Sequence, residues 1–177
     1  MKRPADLYSP DYIVLQKALH AAPRGYGQKG SKWAEWVELF DQYACHSVLD
    51  YGCGQGSLKL ALADRLVCRE YDPAIPGKDG PPAFADLVNC TDVLEHIEPD
   101  KLDNVLAHLR SLARKVVFVV IAQRPAGKVL SDGRNAHLIV KDRAWWTHRL
   151  HAAGFRVVPV EVKYKKPARE FVAVLEP

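Results

Sequence analysis

Three glycines spaced two apart, in Ser47-Val48-Leu49-Asp50-Tyr51-Gly52-Cys53-Gly54-Gln55-Gly56-Ser57, constrain the fold of this chain more than any other feature. The stretch opens as a short apolar run with β-branched character. It leads into Leu58, Ala61, Leu62 and Leu66, which share one helical face. Strand, tight loop and helix are therefore expected in that order. Glycine is needed at such a turn because it reaches dihedrals closed to other residues, and because its missing side chain lets a ligand approach the main chain. Backbone N–H groups at the helix start are then free to face an oxygen-rich ligand.

Dinucleotide enzymes use a similar strand-loop-helix, but with a G-x-G-x-x-G spacing. Here the pattern is D-x-G-x-G-x-G, with Asp50 two residues before Gly52. It resembles the first motif of class I S-adenosylmethionine (SAM) methyltransferases. The resemblance implies that Asp50 helps hold the cofactor's amino-acid moiety and that Gly52, Cys53, Gly54 and Gly56 pass beneath it. A carboxylate suits an ammonium group and does not suit a pyrophosphate.

A chain of 177 residues is long enough for one domain with a sizeable core and too short for two comfortable ones. Its 48% hydrophobic and 26% charged residues argue against long disorder. No apolar run approaches a membrane span, and Met1-Lys2-Arg3-Pro4 is not followed by the apolar segment of a signal peptide. Cys45, Cys53, Cys68 and Cys90 form neither a CxxC pair nor a zinc spacing, which fits reduced thiols in a cytoplasmic protein. The formal charge of +4 is too mild to argue by itself for nucleic acid. Lys163, Lys165, Lys166 and Arg169 near the C-terminus read as solvated surface, as do Arg24, Lys29 and Lys32 among Gly25, Gly27 and Gly30.

Before the glycine motif, Tyr12, Leu15, Leu19 and Ala22 fall at helical spacing between Pro10 and Pro23. Ser31 can cap a second helix with Trp33, Trp36, Val37, Phe40 and Tyr43 on its apolar face. Residues 1–46 therefore read as a helical extension, and the methyltransferase resemblance implies that it covers the cofactor pocket of a core spanning 47–177. Val67 to Tyr71 reads as the second strand, with Asp72 at its tip about 20 residues after the first glycine. In doubly wound nucleotide binders an acid there hydrogen-bonds a ribose. Glu70 is the rival, inside the strand. Only Ala74 to Phe84 separates Asp72 from the next strand, and its prolines and glycines rule out a regular element. The family's helix and third strand are thus missing, and the resemblance implies six strands instead of seven. Asp79 and Asp86 are the acids left near the adenine position.

Ala85 to Thr91 reads as a strand, and Pro99 suits the first turn of a helix carrying Leu102, Val105, Leu106, Leu109 and Leu112. Lys115 to Ala122 is a strand buried on both faces. Asp142 can cap a helix bearing Trp145, Trp146 and Leu150 that Gly154 terminates. Arg156 to Tyr164 and Glu170 to Leu175 then close the chain as an antiparallel hairpin. The expected fold is α/β: a doubly wound, mostly parallel Rossmann-like sheet with an antiparallel C-terminal hairpin.

Asp92-Val93-Leu94-Glu95-His96 is similar to the D-V-L-E-H segment of small-molecule O-methyltransferases such as those of the ubiquinone pathway. The resemblance implies a SAM-dependent enzyme, with Asp92 near the cofactor, acting on an oxygen of a small molecule. His96, His137 and Glu95 would face the acceptor. Two chemistries are open there. His96 or His137 can act as general base, since an imidazole titrates near neutrality. Alternatively, Asp92, Glu95 and His96 at i, i+3 and i+4 share one face of a helical turn, and His137 completes a site for a divalent metal such as Mg. The set is similar to the E-x-x-E-H…H site of small-RNA 2′-O-methyltransferases. A nucleic-acid acceptor is therefore the alternative to a small molecule, and a SAM-binding module without turnover is the non-enzymatic one. No membrane partner is expected.

Overall fold

A computed structural model describes residues 3–22, 26–36, 40–62, 65–158 and 169–177. Six strands form one sheet: β1 (Ser47–Tyr51), β2 (Val67–Tyr71), β3 (Ala85–Thr91), β4 (Ala113–Ala122), β5 (Arg156–Val158) and β6 (Glu170–Glu176). Their spatial order is β2-β1-β3-β4-β6-β5. The first four are parallel, and β6 runs antiparallel to both β4 and β5. This is the expected mixed α/β sheet, trimmed at one edge. The segment after Asp72 carries turns but no helix or strand, as its prolines require.

Side-chain alternation along the strands builds two cores, one on each face of the sheet. Leu49, Val88, Val117, Val119 and Ile121 point to the face covered by two helices, which we label α4 (Leu102–Leu112) and α5 (Arg143–Ala152). Val48, Leu87, Val116, Phe118 and Val120 point to the other face, under Leu58 and Leu62 of α3 (Ser57–Leu62) and under Trp33 and Phe40. The rings of Trp33, Trp36 and Phe40 surround Phe118 with centroids 6.1, 5.2 and 5.8 Å away. The aromatic stripe is thus core, where truncating a residue such as Phe118 costs about 3–5 kcal/mol.

Capping follows the sequence closely at α5, where the Asp142 carboxylate accepts from the Trp145 N–H at 2.8 Å. Gly154, at φ 86, ends it. Elsewhere the boundaries move. The α4 helix begins at Leu102, so Pro99 lies in a preceding turn closed by Lys101 N–H to Glu98 O at 2.9 Å. The segment Gly30–Trp36 is a 3-10 helix and not an α-helix, and its Ser31 N–H donates to Ser57 Oγ at 3.1 Å. Val37 and Pro23 lie outside the described residues, as do Arg24, Gly25, Lys163, Lys165, Lys166 and most of the strand expected from Arg156 to Tyr164.

The N-terminal helices α1 (Pro4–Leu7) and α2 (Pro10–Ala21) are seated on the loops at the carboxyl ends of the strands. Ser9 caps α2 through its Oγ, which accepts from Tyr12 N–H at 3.2 Å. The Ser9 N–H and hydroxyl both donate to Glu98 at 2.7 Å, tying the helix start to the loop after β3. No helix among the described residues is long and apolar enough to cross a membrane.

Candidate active site

The glycine turn is built as its sequence demands. Gly52, Gly54 and Gly56 have φ of 75, 53 and 83°, left-handed conformations that L side chains resist. A Cβ at Gly54 would stand 2.5 Å from the carbonyl oxygen of Gly27, and one at Gly52 would stand 2.4 Å from Val93 Cγ2. The N–H groups of Gly52 and Cys53 donate to Tyr71 O at 2.7 and 3.1 Å, so the end of β2 fixes the start of the turn. Asp72 fixes its middle: its two carboxylate oxygens accept from Gly54 N–H and Ala74 N–H, each at 2.9 Å.

Asp50 is buried at 4% exposure and accepts one hydrogen bond, from the Asn89 amide at 2.8 Å. The two residues are register partners in the parallel β1–β3 pair. Burial pushes the Asp50 carboxyl up to about 7, against the pull of Asn89. Among the described residues no cation forms an ion pair with this carboxylate, and Lys78 lowers it only as a lesser influence. Asp50, Gly52, Cys53 and Asp72 all line a cavity of about 370 Å³, together with Asp92, His96 and His137. Residues of α2 and of 26–33 line it from the other side, among them Tyr12, His20, Tyr26, Lys29 and Lys32.

At this cavity the loop after β3 meets the loop after β4. Glu95 and His96 lie in a 3-10 turn (Leu94–His96), and His137 comes from the loop between β4 and α5. One donor atom from each of Glu95, His96 and His137 lies within 4.8 Å of the others. The His96 Nδ1 sits 2.7 Å from Ala136 O, and the His137 Nδ1 sits 2.6 Å from Arg124 O. A carbonyl only accepts, so each neutral ring carries its proton on Nδ1 and keeps a lone pair on Nε2. Burial, and then His137, hold His96 down to about 4, and burial lowers His137 as well. Both are neutral donors at pH 7.

Glu95 is fully buried. Its Oε1 accepts from Ala122 N–H at 3.1 Å, while Oε2 has no hydrogen-bond partner among the described residues. Burial and the nearby Asp92 push its carboxyl up to about 8. Glu95, with its unpartnered Oε2, and the two histidines, each ring held through Nδ1 to a carbonyl, are the residue types from which a divalent-ion site is built. Two ligands on one ion at about 2.2 Å stand at most about 4.4 Å apart, a spacing comparable to the bound on this cluster.

Not every expected residue comes to the site. Asp92 stands outside the Glu95–His96–His137 cluster: it has φ 57°, so no helical turn runs from 92 to 96, and its carboxylate pairs with Lys32 at 2.9 Å. Of the four residues expected to share a metal, three come together and Asp92 does not join them. Glu95 does not line the cavity wall but lies behind it, and Gly54 and Gly56 shape the turn without lining the cavity. Glu70 pairs with Lys78 at 2.9 Å and Lys59 at 3.6 Å, away from the cavity, as do Asp79 and Asp86 in not lining it. Lys29 and Lys32, read from sequence as solvated surface, line the cavity. Asn89 and Tyr26 carry no sequence signal, and Tyr12 carries only the helical spacing of α2. Only the parallel pairing of Asp50 with Asn89 could have pointed to one of them.

The sheet order, with its parallel strands and reversed final pair, defines the class I methyltransferase fold with one edge strand absent. Solved structures agree. The chain superposes on 1,6-didemethyltoxoflavin-N1-methyltransferase of Burkholderia thailandensis with a TM-score of 0.69 and 17% identity, covering 99% of this chain and 92% of that one. It superposes on magnesium protoporphyrin IX methyltransferase of Synechocystis PCC 6803 with a TM-score of 0.62 and 16% identity, covering 97% of each chain. The methyltransferase domain of bacterial CtHen1-CN gives a TM-score of 0.56 and 16% identity over 85% of this chain and 100% of that one. No protein-family model matches the chain, and no curated protein matches it.

Proposed function

We propose that this chain is a SAM-dependent methyltransferase acting on an oxygen of a small-molecule acceptor, with a divalent ion held by Glu95, His96 and His137. One juxtaposition carries the reading: the glycine turn with its two buried acids, Asp50 and Asp72, lines the same cavity as the two histidines. SAM supplies, when bound, a sulfonium methyl group that an in-line nucleophile can displace. Asp50 holds the cofactor's ammonium group, the charge that would draw its raised carboxyl back to the ionised form. Asp72 takes ribose hydroxyls with the lone pairs that its two loop contacts leave. Side chains of α2 and of residues 26–33 line the cavity opposite the glycine turn, which favours positioning of the two reactants.

A divalent ion supplies positive charge that lowers the pKa of an acceptor hydroxyl. Glu95, His96 and His137 would hold it, and Asp92, paired with Lys32, stays at the cavity wall. The small volume and the α2 roof favour a small acceptor, as do the two neighbours whose names give toxoflavin and protoporphyrin acceptors. The same three side chains favour a second reading, a ribose 2′-hydroxyl of RNA.

The test is methyl transfer to a panel of phenols, catechols, carboxylic acids and short RNAs, before and after EDTA treatment and with added Mg, Mn or Zn. The reading expects transfer to one small-molecule class, lost with EDTA and restored by an ion. Activity that survives prolonged chelation overturns the ion and leaves His96 or His137 as a metal-free base. Transfer to RNA with a steep salt dependence favours the second reading.

A further inference from the structure

Both polar groups of Gly54 are held from one loop. Its N–H donates to the Asp72 carboxylate at 2.9 Å, and its carbonyl accepts from the Lys78 ammonium at 3.3 Å. That loop belongs to the proline-rich segment between β2 and β3, where the family's helix and third strand are missing. Ile75 N–H donates to Asp72 O at 3.2 Å, Lys78 N–H to Ile75 O at 3.0 Å, and Asp72 N–H back to Lys78 O at 2.9 Å. Residue 78 is thereby returned to the end of β2. There the Lys78 ammonium pairs with Glu70 at 2.9 Å, the two side chains being only 22% and 16% exposed, and Lys59 of α3 reaches the same carboxylate at 3.6 Å. The pair fills the space that Gly56 leaves open. A Cβ on Gly56 would stand 2.6 Å from Lys78 Nζ and closer still to Glu70 Oε1.

We propose that Lys78 is a positioning residue for the cofactor, a clasp anchored on Glu70 that holds the Gly54 carbonyl and with it the geometry of the glycine turn. This rests on the cofactor reading above. The need for a clasp follows from the glycine itself. At φ 53° Gly54 has the backbone that the turn requires, but without a side chain it has many other dihedrals open to it. The peptide joining Gly54 to Gln55 is instead held on both sides, its carbonyl by Lys78 and its N–H by Gly27 O at 2.9 Å. Releasing the carbonyl lets that peptide rotate. Gly52 and Cys53, which line the cavity, then lose a fixed neighbour. Lys78 does not line the cavity, so it acts on the cofactor through the turn alone.

Calorimetric titration with S-adenosylhomocysteine, beside amide hydrogen exchange of the free protein and urea unfolding, tests the clasp. Lys78→Met keeps the aliphatic stem, removes the ammonium and leaves both hydrophobic cores intact. It should bind about 2- to 12-fold more weakly than wild type, the equilibrium equivalent of one net hydrogen bond. Exchange should quicken at the amides of Gly54, Gln55 and Gly56, which donate to Asp72, Gly27 O and Cys53 O. Lys78→Arg keeps a charged donor and should restore both affinity and protection. A merely structural role predicts a lower urea midpoint with unchanged affinity and unchanged exchange at the turn. That result, or weaker binding without faster exchange there, overturns the clasp and leaves the cofactor reading in place. Absence of S-adenosylhomocysteine binding by the wild type overturns the cofactor reading and the clasp with it.

Discussion

Asp50 gives a prediction whose size follows from its surroundings. Burial raises its carboxyl from the ordinary 3.8 to about 7. Three units correspond to about 4 kcal/mol of preference for the neutral form, at 1.36 kcal/mol per unit. A folded-state pKa above the unfolded value stabilises the fold fully below about 4, and that contribution is gone above about 7. A bound ammonium reverses the preference, because it favours the charged form. Cofactor binding below pH 7 must therefore expel a proton from Asp50. Relative to pH 8, affinity for S-adenosylhomocysteine should be about tenfold weaker at pH 6 and about a hundredfold weaker at pH 5. Trp33 lines the cavity, so quenching of tryptophan emission can follow the titration. Asp50→Asn should bind more weakly and show a flat profile. A flat profile in the wild type, or the same slope in the variant, would refute the assignment of Asp50 to the ammonium.

The loop acids and glycines make further predictions. Gly54→Ala puts a methyl group 2.5 Å from Gly27 O at a positive φ, so it should abolish cofactor binding in calorimetry while the two cores keep the chain folded by circular dichroism. Asp72→Ala leaves the Gly54 and Ala74 N–H groups without their acceptor and should cost about 1–3 kcal/mol in urea unfolding, besides weakening the cofactor. Glu95→Gln removes the charge that an ion needs but keeps the Ala122 contact available. It should abolish ion-dependent activity with a change in urea midpoint smaller than that of Asp72→Ala.

The sheet was legible in the sequence because its signals are local. The three glycines, the continuous apolar run to Ala122 and the Asp142 and Gly154 caps each act over a few residues, and the prolines after Asp72 exclude a third strand by covalent geometry alone. The convergence of His96 and His137 was legible only as a motif with a distant partner. What brings them together is the parallel β3–β4 pairing, which sets the two loops side by side. The set lost Asp92 because helical spacing was assumed where the chain takes φ 57°. Spacing presumes the backbone conformation that it is meant to reveal. Asn89 and Tyr26 stayed hidden for another reason. Each acts through one long-range contact, with Asp50 and His96 respectively, and a single polar contact leaves no periodicity to read.

The most direct test of the account is calorimetric titration of the purified protein with SAM, S-adenosylhomocysteine and NADH. The cavity described here should bind SAM and its demethylated product at one site per chain and ignore NADH, because Asp50 matches an ammonium and repels a pyrophosphate. Binding of NADH without binding of SAM or S-adenosylhomocysteine would contradict it.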